Sequence, residues 1–246
     1  MRVLIGLPVF NEQRYLNTVL DRIAAYGHDR VVVDDGSADE SPALLAARGD
    51  ITVLTHPENQ GYGQSLIDLF RYAVEKNYDW LITIDCDLQH DTTEIPAFLA
   101  AAAEGDADII SGTRYAGEAP ADAAPEDRRR INRLVTETLN IALGLRLTDA
   151  FCGFKAYRVD ALRRLDLNIP GYAMPLQLWV QAVRRGLRIR ELPVRLIYID
   201  AHRHFGGELD ELSLRLRHYM TVLLEEMRRE DERANCRKCR DRDGKQ

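Results

Sequence analysis

The chain has 246 residues, of which 46% are hydrophobic and 29% charged, and its formal net charge is −6. This length and composition suffice for one large α/β domain with an extension. The net negative charge lacks the basic character typical of nucleic-acid-binding proteins, and it also argues against a protein that binds broadly to anionic membrane surfaces.

The sequence also argues against membrane insertion and secretion. No apolar run approaches the roughly 18 to 20 residues that span a bilayer, and the short apolar start MRVLIGLPVF is typical of a strand rather than a signal peptide. Cys236 and Cys239 form one CxxC in a charged tail without two further zinc ligands nearby. We therefore expect a cytoplasmic protein, with peripheral contact at the inner membrane face left open.

Strand and helix patterns alternate in the first half of the chain. The predicted strands are Val3–Leu7, Arg30–Val33, Thr52–Thr55, Trp80–Ile84 and Ala107–Ser111. The predicted helices between them cover residues 12–26, 40–48, 62–76 and 92–104. This alternation predicts an α/β fold with a mostly parallel sheet and helices on both faces. Ligands of such sheets bind at the carboxyl ends of the strands.

The second half is predicted to be mostly helical. Residues 116–127 form an Ala-, Pro- and acid-rich loop, and helices follow at Glu126–Leu143, 174–185 and 208–229, with a strand at 191–199. The last helix carries an apolar stripe at spacings of three and four residues. We expect one α/β domain over 1–205, an amphipathic helix over 206–230 packed on it, and a charged disordered tail over 231–246.

Two carboxylates, Asp85 and Asp87, follow the fourth predicted strand. In an extended chain residues i and i+2 point to the same side, so both can converge on one divalent cation. Mg²⁺ or Mn²⁺ accepts two such oxygen ligands and takes the others from water and a diphosphate. An Asp-x-Asp after a strand is also common in polar loops, and for the pair alone that alternative stays open.

Other polar residues follow the first three strands. Asp35 ends the second strand, where a carboxylate can accept hydrogen bonds from a nucleobase. Glu12 either lines the same site or stabilises the first turn of the next helix. Gly61 and Gly63 open a helix after the third strand, where glycine lets the backbone approach a ligand and the helix N-terminus favours anions. An ordinary tight turn is the alternative for these glycines.

Six segments together carry a resemblance to a known family: LPVFNE, VVDDGSADES, ENQGYGQSL, IDCDLQH, SGTRY and TDAFCGFKAYR. In this order and spacing they closely resemble family 2 glycosyltransferases with a GT-A fold. The resemblance covers about residues 3–205. It is nearest to the branch that contains dolichol-phosphate mannose synthase and related polyprenyl-phosphate sugar transferases. It implies transfer of a sugar from a UDP- or GDP-sugar, with inversion at the anomeric carbon and with Mg²⁺ or Mn²⁺.

The resemblance also implies roles for individual residues. It places Pro8, Glu12, Asp35, Gly61, Gly63 and Arg203 at the nucleotide, and Asp85 and Asp87 on the metal with Gln89 beside it. It assigns Arg114 to a phosphate and Lys155, Arg128 and Arg129 to the acceptor or a phosphate. Asp149 is the candidate for orienting or deprotonating the acceptor, although an acceptor that is already anionic needs no strong base.

The acceptor is open between a polyprenyl phosphate and a saccharide hydroxyl. Pro175 and Gln177 stand where the lipid-phosphate branch has a glutamine and a glutamate, and Glu208 and Leu209 replace a serine and a lysine in a later loop. A non-catalytic nucleotide-sugar-binding or regulatory protein of the same fold is an alternative. A sugar-phosphate nucleotidyltransferase is less favoured, because LPVFNE occupies the position of that class's Gly-rich basic loop.

Overall fold

A seven-stranded sheet forms the centre of the molecule. The computed structural model describes residues 1–116, 126–195, 197 and 211–243, with the backbone alone at 126–128, 212 and 237–243. The strands are β1 (Val3–Val9), β2 (Asp29–Asp34), β3 (Thr52–Thr55), β4 (Trp80–Thr83), β5 (Ile109–Thr113), β6 (Lys155–Arg158) and β7 (Ile189–Pro193). Their spatial order is β3-β2-β1-β4-β6-β5-β7, and β6 is antiparallel to both of its neighbours.

Eight α-helices are described. They are α1 (Leu16–Ala24), α2 (Ser41–Ala46), α3 (Tyr62–Glu75), α4 (Ile95–Glu104), α5 (Glu126–Leu143), α6 (Val159–Leu162), α7 (Met174–Arg184) and α8 (Leu212–Asp243). A short 3₁₀ turn over Thr92–Glu94 precedes α4. The strands and helices predicted for the first half of the chain are thus confirmed, with ends that differ by up to a few residues.

The sheet is buried on both faces, which explains its nearly continuous apolar strands. In β1, Leu4 belongs to a core shared with α3, α5, α7 and α8, whereas Ile5 and Leu7 belong to a core shared with α1 and α4. Successive side chains of a strand point to opposite faces, so one strand feeds both cores. Helix α1 in turn buries Leu16, Val19, Leu20 and Ile23, at the spacing of a single helix face.

Strand β6 was not predicted from the sequence. It has four residues, KAYR, with a charge at each end, and it lies between β4 and β5. Lys155 is opposite Thr83 of β4 and Ser111 of β5. Because Lys155 is 2% exposed, this strand brings a cation into the interior next to the end of β4.

Helix α8 is longer than predicted and corrects the assignment of a disordered tail. It continues to Asp243, well into the segment 231–246. Ion pairs hold this extension: Arg185 Nη1 lies 2.8 Å from Glu230 Oε2, and Arg233 pairs with both Glu230 and Asp166. The sequence did not show that these charges have partners on other elements. None of the described helices has the length and hydropathy needed to cross a membrane.

Candidate active site at the carboxyl edge of the sheet

The loops after β1, β2 and β4 share one edge of the sheet because these strands are parallel. The Asp35 N–H donates to the Val9 carbonyl at 2.8 Å, and the Ile84 N–H donates to the Gly6 carbonyl at 3.2 Å. Pro8 lies near the end of β1, beside these loops. Strand β5 runs in the same direction as β4, since both are antiparallel to β6, so the loop after β5 lies at this edge too.

Asp35 is 3% exposed, and its carboxylate holds the loop between β3 and α3. Oδ2 accepts the Gly61 N–H at 2.9 Å, and Oδ1 accepts the Gln60 N–H at 2.8 Å and lies 2.7 Å from His56 Nδ1. The other ring nitrogen of His56 lies 2.9 Å from Asp68 Oδ2. Asp35 is therefore fixed in place by this loop, and its predicted contact with a nucleobase stays a prediction.

The loops after β1 and β2 hold one another. Glu12, 8% exposed, donates its N–H to Ser41 Oγ at 3.0 Å, and Asn11 donates its N–H to Ser37 Oγ at 2.9 Å. Asn11 has a φ of 56°, a left-handed conformation that asparagine tolerates well. Asp39 accepts the Ser41 N–H with Oδ1 at 2.9 Å and the Gln13 N–H with Oδ2 at 3.0 Å, so it ties the two loops together.

Gly61 and Gly63 are required by packing within the protein. A Cβ on Gly61 would lie 2.5 Å from the Pro170 carbonyl oxygen, and one on Gly63 would lie 2.6 Å from the Gly171 carbonyl oxygen. Gly61 also has a φ of 104°, which favours glycine. The Gln64 N–H donates to Pro170 O at 2.9 Å. Residues 169–171 pack against this helix start, and the predicted contact of the two glycines with a ligand stays a prediction.

Asp85 follows β4 and is held from several sides. Its Oδ1 accepts the Tyr62 hydroxyl at 2.9 Å, and its Oδ2 lies 3.6 Å from His90 Nε2. A Cβ on Gly153 would lie 2.5 Å from Asp85 Cγ, so glycine is needed to leave room for the carboxylate. Burial by itself raises the pKa of Asp85. The contacts with His90 and Tyr62 and the positive charge of Lys155 lower it by more, so the pKa lies below the usual 3.8.

Asp87 lies in a less favourable environment for its charge. Burial and the negative charge of Asp85 raise the pKa of Asp87 to about 6. Its Oδ1 accepts the Gln89 N–H at 3.0 Å across a turn made by Leu88, which has a φ of 57°. A non-glycine residue in this conformation costs about 1–2 kcal/mol. The loop is therefore held in a strained form that places Asp87 beside Asp85.

A divalent cation fits this pair of carboxylates. Two neighbouring acids repel one another when both are charged, and a bound cation removes that penalty. Across residues 1–116, 126–195, 197 and 211–243, no three His, Cys, Asp or Glu side chains are grouped as metal ligands. Asp85 and Asp87 therefore stay the predicted ligands of such a cation, with the other positions left to water and a diphosphate.

Arg114 and Asp149 form a buried ion pair at the same edge. Asp149 Oδ2 accepts Arg114 Nε–H at 2.6 Å, and Oδ1 accepts Nη2–H at 2.9 Å. Burial raises the pKa of Asp149, but the charge and hydrogen bonds of Arg114 lower it to below the usual 3.8. The Phe151 N–H also donates to Oδ1, at 3.1 Å. This carboxylate is better suited to orienting Arg114 than to taking a proton from an acceptor.

Lys155 is inside the protein rather than at the surface of the site. Its ammonium group donates to the Cys152 carbonyl and lies 5.6 Å from the centre of the Trp179 ring. Burial lowers the pKa of Lys155 below its usual 10.5. With 2% exposure, it is poorly placed for the predicted contact with an acceptor or diphosphate. Its position near Asp149 and Asp85 is that of an internal cation.

Three further arginines were predicted at the site: Arg203 at the nucleotide, and Arg128 and Arg129 at the acceptor or a phosphate. Arg203 lies outside the described residues, as do Glu208 and Leu209, and of Arg128 the backbone alone is described. Arg129 is half-buried in the first turn of α5. The predicted nucleotide and phosphate contacts of these arginines stay predictions.

Gln177 faces α8. It is fully buried, and its Nε2 donates to Glu226 Oε2 at 3.0 Å and to Asn168 Oδ1 at 2.9 Å. A glutamate here would place two carboxylates against one another. The glutamine that replaces the glutamate of the lipid-phosphate branch is therefore explained by its contact with Glu226 of α8.

Sequence reasoning missed Tyr62, Gly153 and His56. Tyr62 stands between the two glycines of NQGYGQS and Gly153 stands in TDAFCGFK, but neither residue type points to a metal site by itself. His56 could have been found, because it directly follows β3 at the carboxyl edge. Tyr62 and Gly153 lie against Asp85, and His56 lies against Asp35, and the sequence analysis named both of these carboxylates.

Comparison with known proteins identifies the family. The model of glycosyl transferase family 2 matches residues 4–166. The undecaprenyl-phosphate mannosyltransferase of Micrococcus luteus is 32% identical over 206 residues, which cover 80% of this chain and 84% of that protein. The polyprenol monophosphomannose synthase of Mycolicibacterium smegmatis is 28% identical over 203 residues, which cover 78% and 76%.

Solved structures agree on the fold. Glucosyl-3-phosphoglycerate synthase from Mycobacterium tuberculosis, in complex with Mn²⁺, UDP and glucosyl-3-phosphoglycerate, superposes with a TM-score of 0.70. The two are 22% identical, and the match covers 92% of this chain and 80% of that one. The predicted GT-A fold and the predicted relation to the polyprenyl-phosphate branch are confirmed. The chain belongs to glycosyl transferase family 2 and is a glycosyltransferase.

Proposed function

We propose that this glycosyltransferase moves a hexose from a UDP- or GDP-sugar to an acceptor, with inversion at the anomeric carbon and with Mg²⁺ or Mn²⁺ bound. The observation that carries the proposal is the presence of two carboxylates, Asp85 and Asp87, two residues apart at the end of β4, where burial and the charge of Asp85 raise the pKa of Asp87 to about 6. Arg114 follows β5, whose loop lies at the same edge of the sheet, and it would be available there for a phosphate.

The residues divide the work as follows. Asp85 and Asp87 would hold the cation, which when bound would offset the negative charge on the leaving nucleoside diphosphate. Asp149 fixes the Arg114 guanidinium through two hydrogen bonds, so that its remaining edge can meet a phosphate oxygen. The acceptor oxygen attacks the anomeric carbon from the face opposite the diphosphate, and the bond from that carbon to the diphosphate oxygen breaks.

We propose a polyprenyl phosphate as the acceptor. The two relatives named above support this, because their names specify undecaprenyl phosphate and a polyprenol. The pairing of Asp149 with Arg114 supports it too, since an anionic phosphate oxygen can attack without a general base. The Gln177–Glu226 contact removes one argument against it, because it explains Gln177 by packing. Such an acceptor would bring the protein to a membrane surface.

An activity assay tests the proposal. The protein is incubated with a panel of labelled UDP- and GDP-hexoses, with and without Mn²⁺, and with either a polyprenyl phosphate or free saccharides. We expect labelled sugar in the organic phase, dependent on Mn²⁺ and absent in Asp87→Ala. Transfer to free saccharides and not to the polyprenyl phosphate would show that the proposed acceptor is wrong. Binding of nucleotide-sugars without turnover on any acceptor would favour the non-catalytic alternative.

A further inference from the structure

Tyr62 makes a direct contact with one of the two carboxylates proposed to bind the cation. It is the first residue of α3 and is half-buried. Its hydroxyl donates to Asp85 Oδ1 at 2.9 Å. A tyrosine hydroxyl can donate one hydrogen bond, and an ionised carboxylate can only accept, so the donor in this contact is Tyr62.

Tyr62 is itself held firmly from both sides. The preceding Gly61 donates its N–H to Asp35 Oδ2 at 2.9 Å, and the space beyond Gly61 is filled by the Pro170 carbonyl. The Tyr62 ring stacks on Tyr172, with ring centres 5.5 Å apart and planes inclined by 15°. The hydroxyl therefore has little freedom to move away from Asp85.

These contacts form a continuous path between the two halves of the site. Asp35, predicted to face the nucleobase, binds the backbone of Gly61, and the next residue, Tyr62, binds Asp85. Tyr62 occupies Oδ1 of Asp85, whereas Oδ2 has His90 at 3.6 Å, beyond hydrogen-bond distance. One carboxylate oxygen is thus fixed by a hydrogen bond from Tyr62, whereas the other has the longer contact with His90.

We propose that Tyr62 is a positioning residue that orients Asp85 for the divalent cation and joins it to the nucleotide side of the site. This inference rests on the proposed function, since it requires that Asp85 and Asp87 bind a cation. Residues that hydrogen-bond to metal ligands typically change metal affinity by about 10- to 100-fold when they are removed. The hydroxyl of Tyr62 is the operative group, and its ring only holds the hydroxyl in place.

Mn²⁺ binding measures this role without relying on turnover. Electron paramagnetic resonance of free Mn²⁺ gives the affinity of each variant in the presence of UDP and, in a parallel series, GDP. We expect Tyr62→Phe to bind Mn²⁺ about 10-fold more weakly than the wild type. Tyr72→Phe is the matched control: it removes a hydroxyl from the same helix, 3.4 Å from Thr52 Oγ1, and should leave the affinity unchanged.

The outcomes separate this inference from the proposed function. If the wild type binds Mn²⁺ and Tyr62→Phe binds it equally well, the positioning role is wrong and the metal site stands. If the wild type binds no Mn²⁺ with either nucleotide, the metal site is wrong and the inference falls with it. Tyr62→Leu, which also removes the ring, should lose as much affinity as Tyr62→Phe. A loss confined to Tyr62→Leu would assign the effect to the stack and overturn the role of the hydroxyl.

Discussion

Replacing Asp149 by asparagine should destabilise the protein strongly. Asp149 is fully buried and the Arg114 side chain is 16% exposed, so the variant leaves a largely buried guanidinium without its counter-charge. Removing one partner of a buried ion pair typically costs about 3–5 kcal/mol. Asparagine keeps the volume and can still accept one hydrogen bond, which places the expected loss near the lower end of this range. With a denaturant slope of about 2–3 kcal/mol per molar urea, the midpoint should fall by about 1–2 M.

The pH dependence of this loss follows from the lowered pKa of Asp149. A carboxyl group whose folded-state pKa is depressed stabilises the fold above its unfolded value and loses that contribution as the pH falls through the folded value. The difference between the wild type and Asp149→Asn should therefore be complete at neutral pH and shrink below about pH 3.8, the usual value for aspartate.

Urea unfolding followed by circular dichroism measures the effect. Glu137→Gln is the matched control, because it neutralises the exposed partner of Arg133 on the surface of α5 and should leave the midpoint unchanged. An Asp149→Asn midpoint equal to that of the wild type would refute the reasoning, since the ion pair could then not be buried as described.

Three further predictions concern the metal site and α8. Gly153→Ala should displace Asp85 and abolish the stabilisation by Mn²⁺ that thermal unfolding measures. The control Gly49→Ala, which has nothing within 4 Å of its Cβ, should still be stabilised by Mn²⁺. Full stabilisation of both variants would contradict the close approach of Gly153 to Asp85. Gln177→Glu should cost about 2 kcal/mol or more, because it opposes Glu226, and adding Glu226→Gln should recover most of the loss in urea. Mn²⁺ affinity should fall about tenfold per pH unit below about pH 6, the pKa of Asp87, and a pH-independent affinity would exclude Asp87 as a ligand.

Parts of the fold were predictable because burial on both faces gives simple patterns. The apolar runs of β1 and β4 identify them as central strands, and the acids that follow them must lie at the carboxyl edge. Strand β6 has no such pattern. Its four residues include Lys155 and Arg158, and the burial of Lys155 depends on neighbours that the local sequence does not reveal.

The site was predictable residue by residue but not in its pairings. Asp85 and Asp87 could be proposed as a pair because of their spacing after a strand together with the family resemblance, whereas the bend at Leu88 between Asp87 and Gln89 was not foreseen. Arg114 and Asp149 lie 35 positions apart in the sequence. Their separate roles were assigned without any sign that the two side chains form an ion pair. Tyr62 could not be found, because a tyrosine at a helix start has many uses and its partner Asp85 lies 23 positions away.

Helix α8 shows the same limit. Its apolar stripe predicted that it packs on the domain, but nothing in the local sequence distinguishes Glu226 and Glu230 from exposed acids of a helix. In the structure both are buried, against Gln177 and Arg185 of α7 and its C-terminal end. The helix continues beyond the end of its apolar stripe, and there Glu230 and Arg233 pair with charged residues outside the helix.

Anomalous scattering from a crystal soaked with Mn²⁺ and a nucleoside diphosphate tests the central claim most directly. The account predicts one manganese peak within coordination distance of the carboxylates of both Asp85 and Asp87, touching the diphosphate. A bound nucleotide with no manganese beside these carboxylates, or with manganese held elsewhere, would contradict it.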